Sequence, residues 1–221
     1  MLWRMRLEVV SDTVCPWCLI GKRRLEKALA QRQDLDFEVV WRPFELNPDM
    51  PAEGFPREAY LEAKFGGSGR ADQIYAAIRA AGESEEIAFD FERIDRVPNT
   101  VDSHRLIDWA GAEGKQDVVV ERLFSAYFIE GRDVGDHEVL AQVATAAGMN
   151  GARCAARLAT DEDRERVRAE GAEARSLGVQ GVPFFVFDRR YAVSGAQAPE
   201  VFLRAFDTVE KESAEAAPAL T

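Results

Sequence analysis

Cys15 and Cys18 stand three positions apart in the stretch SDTVCPWCLIGKRR, Ser11 to Arg24. Two thiols at that spacing can share a metal ion, close a static disulfide, or cycle between dithiol and disulfide. A structural metal site needs about four ligands. Cys154, His104 and His137 are the remaining candidates, and none pairs with another at finger-like spacing. No metal is therefore expected. Three cysteines in 221 residues are no disulfide framework either. Redox exchange remains. A thiolate is its nucleophile, and the amides and positive dipole end of a helix N-terminus stabilise one. Pro16 suits the first helical position, where its missing N–H costs no hydrogen bond. Cys18, one turn on, lies close enough to Cys15 to release a mixed disulfide. Lys22, Arg23 and Arg24 add positive charge, expected on the outer side of the helix.

The elements that must position this pair follow from periodicity. Met5 to Val10 alternates apolar with charged residues, the pattern of a half-buried strand. FEVVWR, Phe37 to Arg42, repeats it with Phe37, Val39 and Trp41 on one face. Between them Leu25, Ala28 and Leu29 recur at helical spacing. Strand, helix and strand of this length make a βαβ unit with parallel pairing. From Arg57 to Gly178 the signals are mostly helical: Ile74, Tyr75 and Ile78 form one stripe, Leu106, Ile107, Trp109 and Ala110 another, and Val119, Leu123 and Tyr127 a third. GGSG, Gly66 to Gly69, reads as a flexible loop, and Thr160 and Asp163 are placed to cap a charged helix. Strands then return in VPFFVFD and YAVSG, joined by a tight connection at Asp188–Arg190. A last helix presents Val201, Phe202, Ala205, Phe206 and Val209 inward. The expected fold is α/β: residues 1–56 and 179–213 form one discontinuous domain, 57–178 an all-helical insertion, and 214–221 a flexible tail.

A second motif stands far downstream, GVQGVPFFVFD. A glycine-flanked Val182-Pro183 opening a buried strand is unusual, because proline removes a ladder donor. A cis peptide bond in a tight turn would account for it. Together with the strand–CxxC–helix start and the helical insertion, this resembles the DsbA family of thioredoxin-fold oxidoreductases. SDTVCPWCLIGKRR, PNTVDSHRL and GVPFFVFDRRYAVSGAQ look closest to its cytosolic FrnE-like branch. The resemblance implies a thioredoxin-like fold (βαβ…ββα) and a thiol–disulfide oxidoreductase or disulfide isomerase. It makes Cys15 the exposed nucleophile, Cys18 the resolving thiol, and Pro16-Trp17 the dipeptide that tunes the potential. It also makes Val182 and cis-Pro183 the place where substrate backbone docks beside the disulfide. Oxidising periplasmic members carry histidine in the dipeptide, and Trp17 offers no comparable thiolate stabilisation. Kappa-class glutathione transferases and 2-hydroxychromene-2-carboxylate isomerases share the fold and resemble this chain around PNTVDSHRL. They typically have serine for the first cysteine and no resolving one; both are present here.

The remaining candidates carry less. His104 reads first as a hydrogen-bonded histidine between helices and second as a proton shuttle, and it joins Ser194, Gly195 and Gln197 as a candidate contact for glutathione or a thiol substrate. His137 reads as exposed, and Cys154 as a buried inert thiol. Trp17, beside the nucleophile, reads as a substrate contact. Ser194, Gly195 and Gln197 precede the last helix; they either cap it or offer amides to a glutathione carboxylate. The disulfide itself would be the only redox group, with glutathione as co-substrate. Substrates would be peptide, protein or small-molecule thiols and disulfides, with a cellular thiol as reductant. A net charge of −11 argues against nucleic acid. MLWRMRLEVV places arginines where a signal peptide has its apolar core, and no apolar run approaches the ~18 residues of a membrane span. A cytoplasmic location is expected. Two other readings stand: a glutathione-dependent isomerase or transferase, and a non-enzymatic holdase with a vestigial CxxC.

Overall fold

Met5, Leu7 and Val9 alternate along β1 (Arg4–Ser11) and are almost wholly buried. The computed structural model of the chain describes residues 4–66 and 68–216. α1 (Pro16–Ala30) returns the chain so that β2 (Asp36–Pro43) pairs parallel to β1, with Leu7 opposite Val39 and Val9 opposite Trp41. After the insertion, β5 (Phe184–Phe187) pairs antiparallel on the other side of β1, and β6 (Tyr191–Ser194) pairs antiparallel with β5. The sheet order is β2-β1-β5-β6. Phe184–Phe187 therefore shares a sheet with Leu7–Val10, as the patterning predicts. The β5–β6 connection puts Asp188 and Arg189 at φ of 46° and 56°. Both central residues of a hairpin turn matched to the strand twist need that left-handed backbone. The Asp188 carboxylate secures the turn by accepting from the Arg6 amide at 2.7 Å.

α9 (Pro199–Ala216) and α1 cover one face. Phe202, Phe206 and Val209 are fully buried, and Phe185 meets Phe202 ring to ring at 4.8 Å. Each such buried ring contributes about 1.5–3 kcal/mol. α9 runs through 214–216, where a flexible tail was expected; residues 217–221 lie outside the described residues.

Between β2 and β5 come α2 (Arg57–Phe65), α3 (Ser68–Glu83), α4 (Val101–Gly111), α5 (Gln116–Phe128), α6 (His137–Ala146), α7 (Gly151–Leu158) and α8 (Arg164–Ser176). The insertion is helical apart from a two-residue ribbon, β3 (Phe55–Pro56) with β4 (Arg96–Val97). Gly54 makes the ribbon possible: at φ 68° an added Cβ would lie 2.5 Å from the Val97 carbonyl oxygen. GGSG is mostly not a loop. Gly66, left-handed at φ 73°, ends α2, and α3 starts at Ser68; Gly67 lies outside the described residues. Asp163 does not cap α8 with its side chain. Its carboxylate accepts from Trp109 Nε1 at 2.9 Å and from Arg166, which draws it away from the helix amides. Arg105, passed over in the sequence, is fully buried. Its guanidinium donates to the carbonyls of Arg157, Thr160 and Glu162 and to Asp102, fastening α4 to the α7–α8 connection.

Candidate redox site

β1 ends at Ser11, and a short turn brings the chain to Cys15, whose amide donates to the Asp12 carbonyl at 3.1 Å. Cys15 is the residue preceding α1, with extended backbone (φ −95°, ψ 110°), and Pro16 opens the helix. Cys18 lies in the first turn, its amide donating to the Cys15 carbonyl at 3.0 Å. Both thiols are unbonded to each other. Val182-Pro183 is cis. The Cys15 thiol donates to the Val182 carbonyl, S···O 3.5 Å. Pro183 is held from two sides. A Cβ on Gly21 of α1 would come within 2.8 Å of its ring, and its carbonyl accepts from the Gly195 amide at 2.9 Å.

The two sulfurs meet different surroundings. Cys15 is 4 % exposed, not the open thiol expected, yet it forms part of the wall of a cleft; Cys18 is 1 % exposed and lies behind it. Burial pushes the Cys18 thiol well above its ordinary value. The Cys15 sulfur pushes it further, against smaller opposing contributions from the Ser11 hydroxyl and the Asp12 backbone. Burial thus favours the neutral form of the Cys18 thiol.

The cleft has a volume of ≈ 300 Å³. Trp17, 37 % exposed, lines it beside the cysteine. The insertion supplies Arg57, Tyr60 and Lys64 from α2, Ile74 and Tyr75 from α3, and Tyr127 from the end of α5. None of these was singled out for the site in the sequence. Ile74 and Tyr75 have core spacing, and only Ile74's 37 % exposure separates it from a core residue. A larger concavity, ≈ 780 Å³, lies against Val10, Phe184 and Val186 and contains no thiol. Its size recommends it, but the chemistry does not.

The other sequence candidates fall elsewhere. Lys22 is 2 % exposed rather than on the outer side, and it pairs with Glu26, with Asp117 at 3.3 Å and with Glu121 at 3.1 Å. Arg23 is bound by Glu121 and Glu26, and Arg24 by Glu85 at 2.6 Å. These cations join α1 to the insertion. His104 is buried, its Nε2 3.2 Å from the Phe44 carbonyl and 3.5 Å from Asp12 Oδ1, and it does not line the cleft. Asp12 carries no signal in the sequence that sets it apart. Its other oxygen accepts from the Leu46 amide at 2.7 Å, which ties the turn before Cys15 to the chain after β2. His137 is exposed, as expected, and its Nε2 lies 2.9 Å from an Asp102 oxygen. Cys154 is buried in α7, and burial raises its thiol above the ordinary value. Ser194, Gly195 and Gln197 form a closed turn in which Gln197 Nε2 donates to the Ser194 carbonyl. They stand outside the cleft and brace Pro183 through the Gly195 amide. Among the described residues no group of three or more His, Cys, Asp or Glu is arranged to hold a metal, and no helix is long and apolar enough to cross a membrane.

Comparison with known proteins bears on the fold. Residues 6–207 match the DSBA-like thioredoxin domain. The chain is similar to a probable DsbA oxidoreductase of Streptomyces coelicolor, at 38 % identity and a TM-score of 0.85, over 98 % of this chain and 93 % of that one. YwbO of Bacillus subtilis is 26 % identical over 216 residues, 94 % of this chain and 98 % of that protein. The cytosolic disulfide reductase DsbM of Pseudomonas aeruginosa, solved with glutathione, shares the fold at 20 % identity and a TM-score of 0.65, over 93 % of this chain and 99 % of that one.

Proposed function

Because the chain belongs to the family of DSBA-like thioredoxin domains and is a disulfide oxidoreductase, we propose that Cys15 is its attacking thiol and Cys18 its resolving thiol. The observation that carries the assignment is the asymmetry of the pair. Cys15 faces a cleft at a helix N-terminus, whereas Cys18 is sealed behind it with its proton held by burial. In the reducing direction the Cys15 thiolate attacks one sulfur of a substrate disulfide and expels the other as a thiolate. Cys18 then loses its proton and attacks the Cys15 sulfur, expelling the second substrate thiolate. The substrate gains two electrons, and the protein is left with a Cys15–Cys18 disulfide.

Two molecules of a thiol such as glutathione restore the dithiol and leave as their own disulfide. Glutathione in the DsbM structure supports that choice of reductant, and that neighbour's cytosolic setting supports a cytoplasmic one. Pro16 and Trp17 sit where they would set the stability of the thiolate. The Val182 carbonyl faces the sulfur, where an extended substrate segment would align. Reduction or isomerisation is the direction we assign, since Lys22, Arg23 and Arg24, the cations nearest the pair in sequence, are each bound by carboxylates. Glutathione-coupled reduction of a disulfide substrate tests the reading. Wild-type protein should turn over, and Cys15→Ser should lose turnover completely. Undiminished turnover in Cys15→Ser would overturn the assignment.

A further inference from the structure

The cleft beside Cys15 differs in charge from the rest of the molecule. The chain carries a net charge of −11, yet no aspartate or glutamate lines the cleft, and Arg57 and Lys64 do. Arg57 is half-buried and forms no ion pair among the described residues. Its guanidinium lies 4.8 Å from the Tyr75 ring centroid and 5.8 Å from that of Phe91, and both rings line the same cleft. Glu92, the carboxylate that follows Phe91, is bound by Arg79 instead. A guanidinium placed over aromatic rings and free of carboxylates has N–H donors that match a carboxylate or similar planar anion.

Apart from Asn47, the rest of the wall is mostly apolar or aromatic, with Trp17, Ile74, Tyr75 and Phe91 its larger side chains. A volume of ≈ 300 Å³ lies at the small end of small-molecule sites and suits about one ring with its substituents. Helices α2 and α3 supply the wall around Arg57. Resting on the reading of Cys15 as the attacking thiol, we propose that the cleft is a binding pocket for low-molecular-weight disulfides that join an aromatic or bulky apolar group to one anionic group, and that Arg57 holds the anion. The aromatic group packs between Trp17 and the α3 side chains, and Arg57 fixes the substrate with its disulfide toward Cys15. The chemistry is that of the proposed function: Cys15 displaces one aryl thiolate, Cys18 the second, and the dithiol gives up two electrons and two protons.

The test uses two aromatic disulfides that differ in charge, 5,5′-dithiobis(2-nitrobenzoate) and its neutral bis-amide. Each is mixed with the reduced full-length protein and followed in a single turnover. The readout is the ratio of the rate constants, anion over amide, divided by the same ratio measured with dithiothreitol. For the wild type this normalised ratio should be about tenfold above one, the size of one charge-assisted contact, and should fall as salt is raised. Arg57→Gln should bring it to one, and Arg57→Lys should keep most of it. A wild-type ratio near one, or a ratio that survives Arg57→Gln, overturns the proposal. If Arg57→Gln does not fold, the wild-type ratio and its salt dependence decide alone. Reaction with neither compound would instead overturn the oxidoreductase assignment of Cys15, a different result from equal reaction with both.

Discussion

Cys15 and Cys18 are separated by two residues and share one helix turn, but only one of them opens onto the cleft. Burial raises the Cys18 thiol, so the pair holds a proton ready rather than two competing thiolates. Cys15 stands at the N-terminus of α1, a position that favours negative charge. Lys22, Arg23 and Arg24 are closest in sequence, yet each is bound by carboxylates, and Trp17 and the Val182 carbonyl supply no positive charge. From these groups the reduced form should gain little extra stability over the disulfide. The reduction potential should therefore fall in the lower half of the interval between about −120 mV, that of the strongest oxidant of this kind, and about −270 mV, that of thioredoxin. Equilibration in glutathione buffers gives the value. A potential near −120 mV would point to a stronger thiolate stabiliser, with Arg57 and Lys64 of the cleft the first candidates.

At the scale of elements, α1 is fixed at both its faces. On one side Lys22 and Arg23 bind Glu121 of α5. Burial alone would raise the Glu121 carboxyl, but the Arg23 hydrogen bonds and the Lys22 charge bring it from 4.5 down to about 2. A carboxyl depressed in the folded state stabilises the fold above its unfolded value. That stability is lost as pH falls from 4.5 toward 2. With over a third of the side chain exposed, the contribution is reduced by solvent screening to about 1–2 kcal/mol. Glu121→Gln should remove it at pH 7 and flatten the acid limb of a stability–pH curve. An acid limb unchanged by the substitution would count against this link.

On its other side α1 approaches the cis-proline loop through Gly21. Alanine is the better helix former by about 1 kcal/mol, but its Cβ would lie 2.8 Å from the Pro183 ring. Overpacking of that kind costs about 1–3 kcal/mol, so Gly21→Ala should lower both the denaturation midpoint and the rate of disulfide exchange. A more stable and equally active variant would show that Pro183 is not held against Gly21. These contacts explain what could be read in advance. The strands, α1 and α9 were legible because their apolar residues repeat locally, and Pro183 because proline at a strand start is chemically odd. Gly21, Asp12 and the burial of Lys22 depend on partners from distant parts of the chain and leave no local pattern.

At the scale of the molecule, flanking segments and insertion share one core: Leu7, Trp41, Phe124 and Phe206 belong to the same buried cluster. The division into a sheet unit and an insertion thus describes chain order better than it describes packing. The insertion also completes the site, because α2 and α3 supply part of the wall of the cleft that Cys15 and Trp17 line. That wall was not legible. Tyr60, Ile74 and Tyr75 have helical spacing, and whether such a face meets a core or a cleft is decided by packing alone.

The account rests on the division of labour between two thiols, and trapping measures it most directly. Cys15→Ser and Cys18→Ser are each incubated with glutathione disulfide, and the intact mass and the modified residue are determined. Cys18→Ser should accumulate a stable mixed disulfide on Cys15, since no second thiol can release it, while Cys15→Ser should leave the buried Cys18 unmodified. Equal adducts on both variants, or an adduct on Cys18 alone, would contradict the assignment.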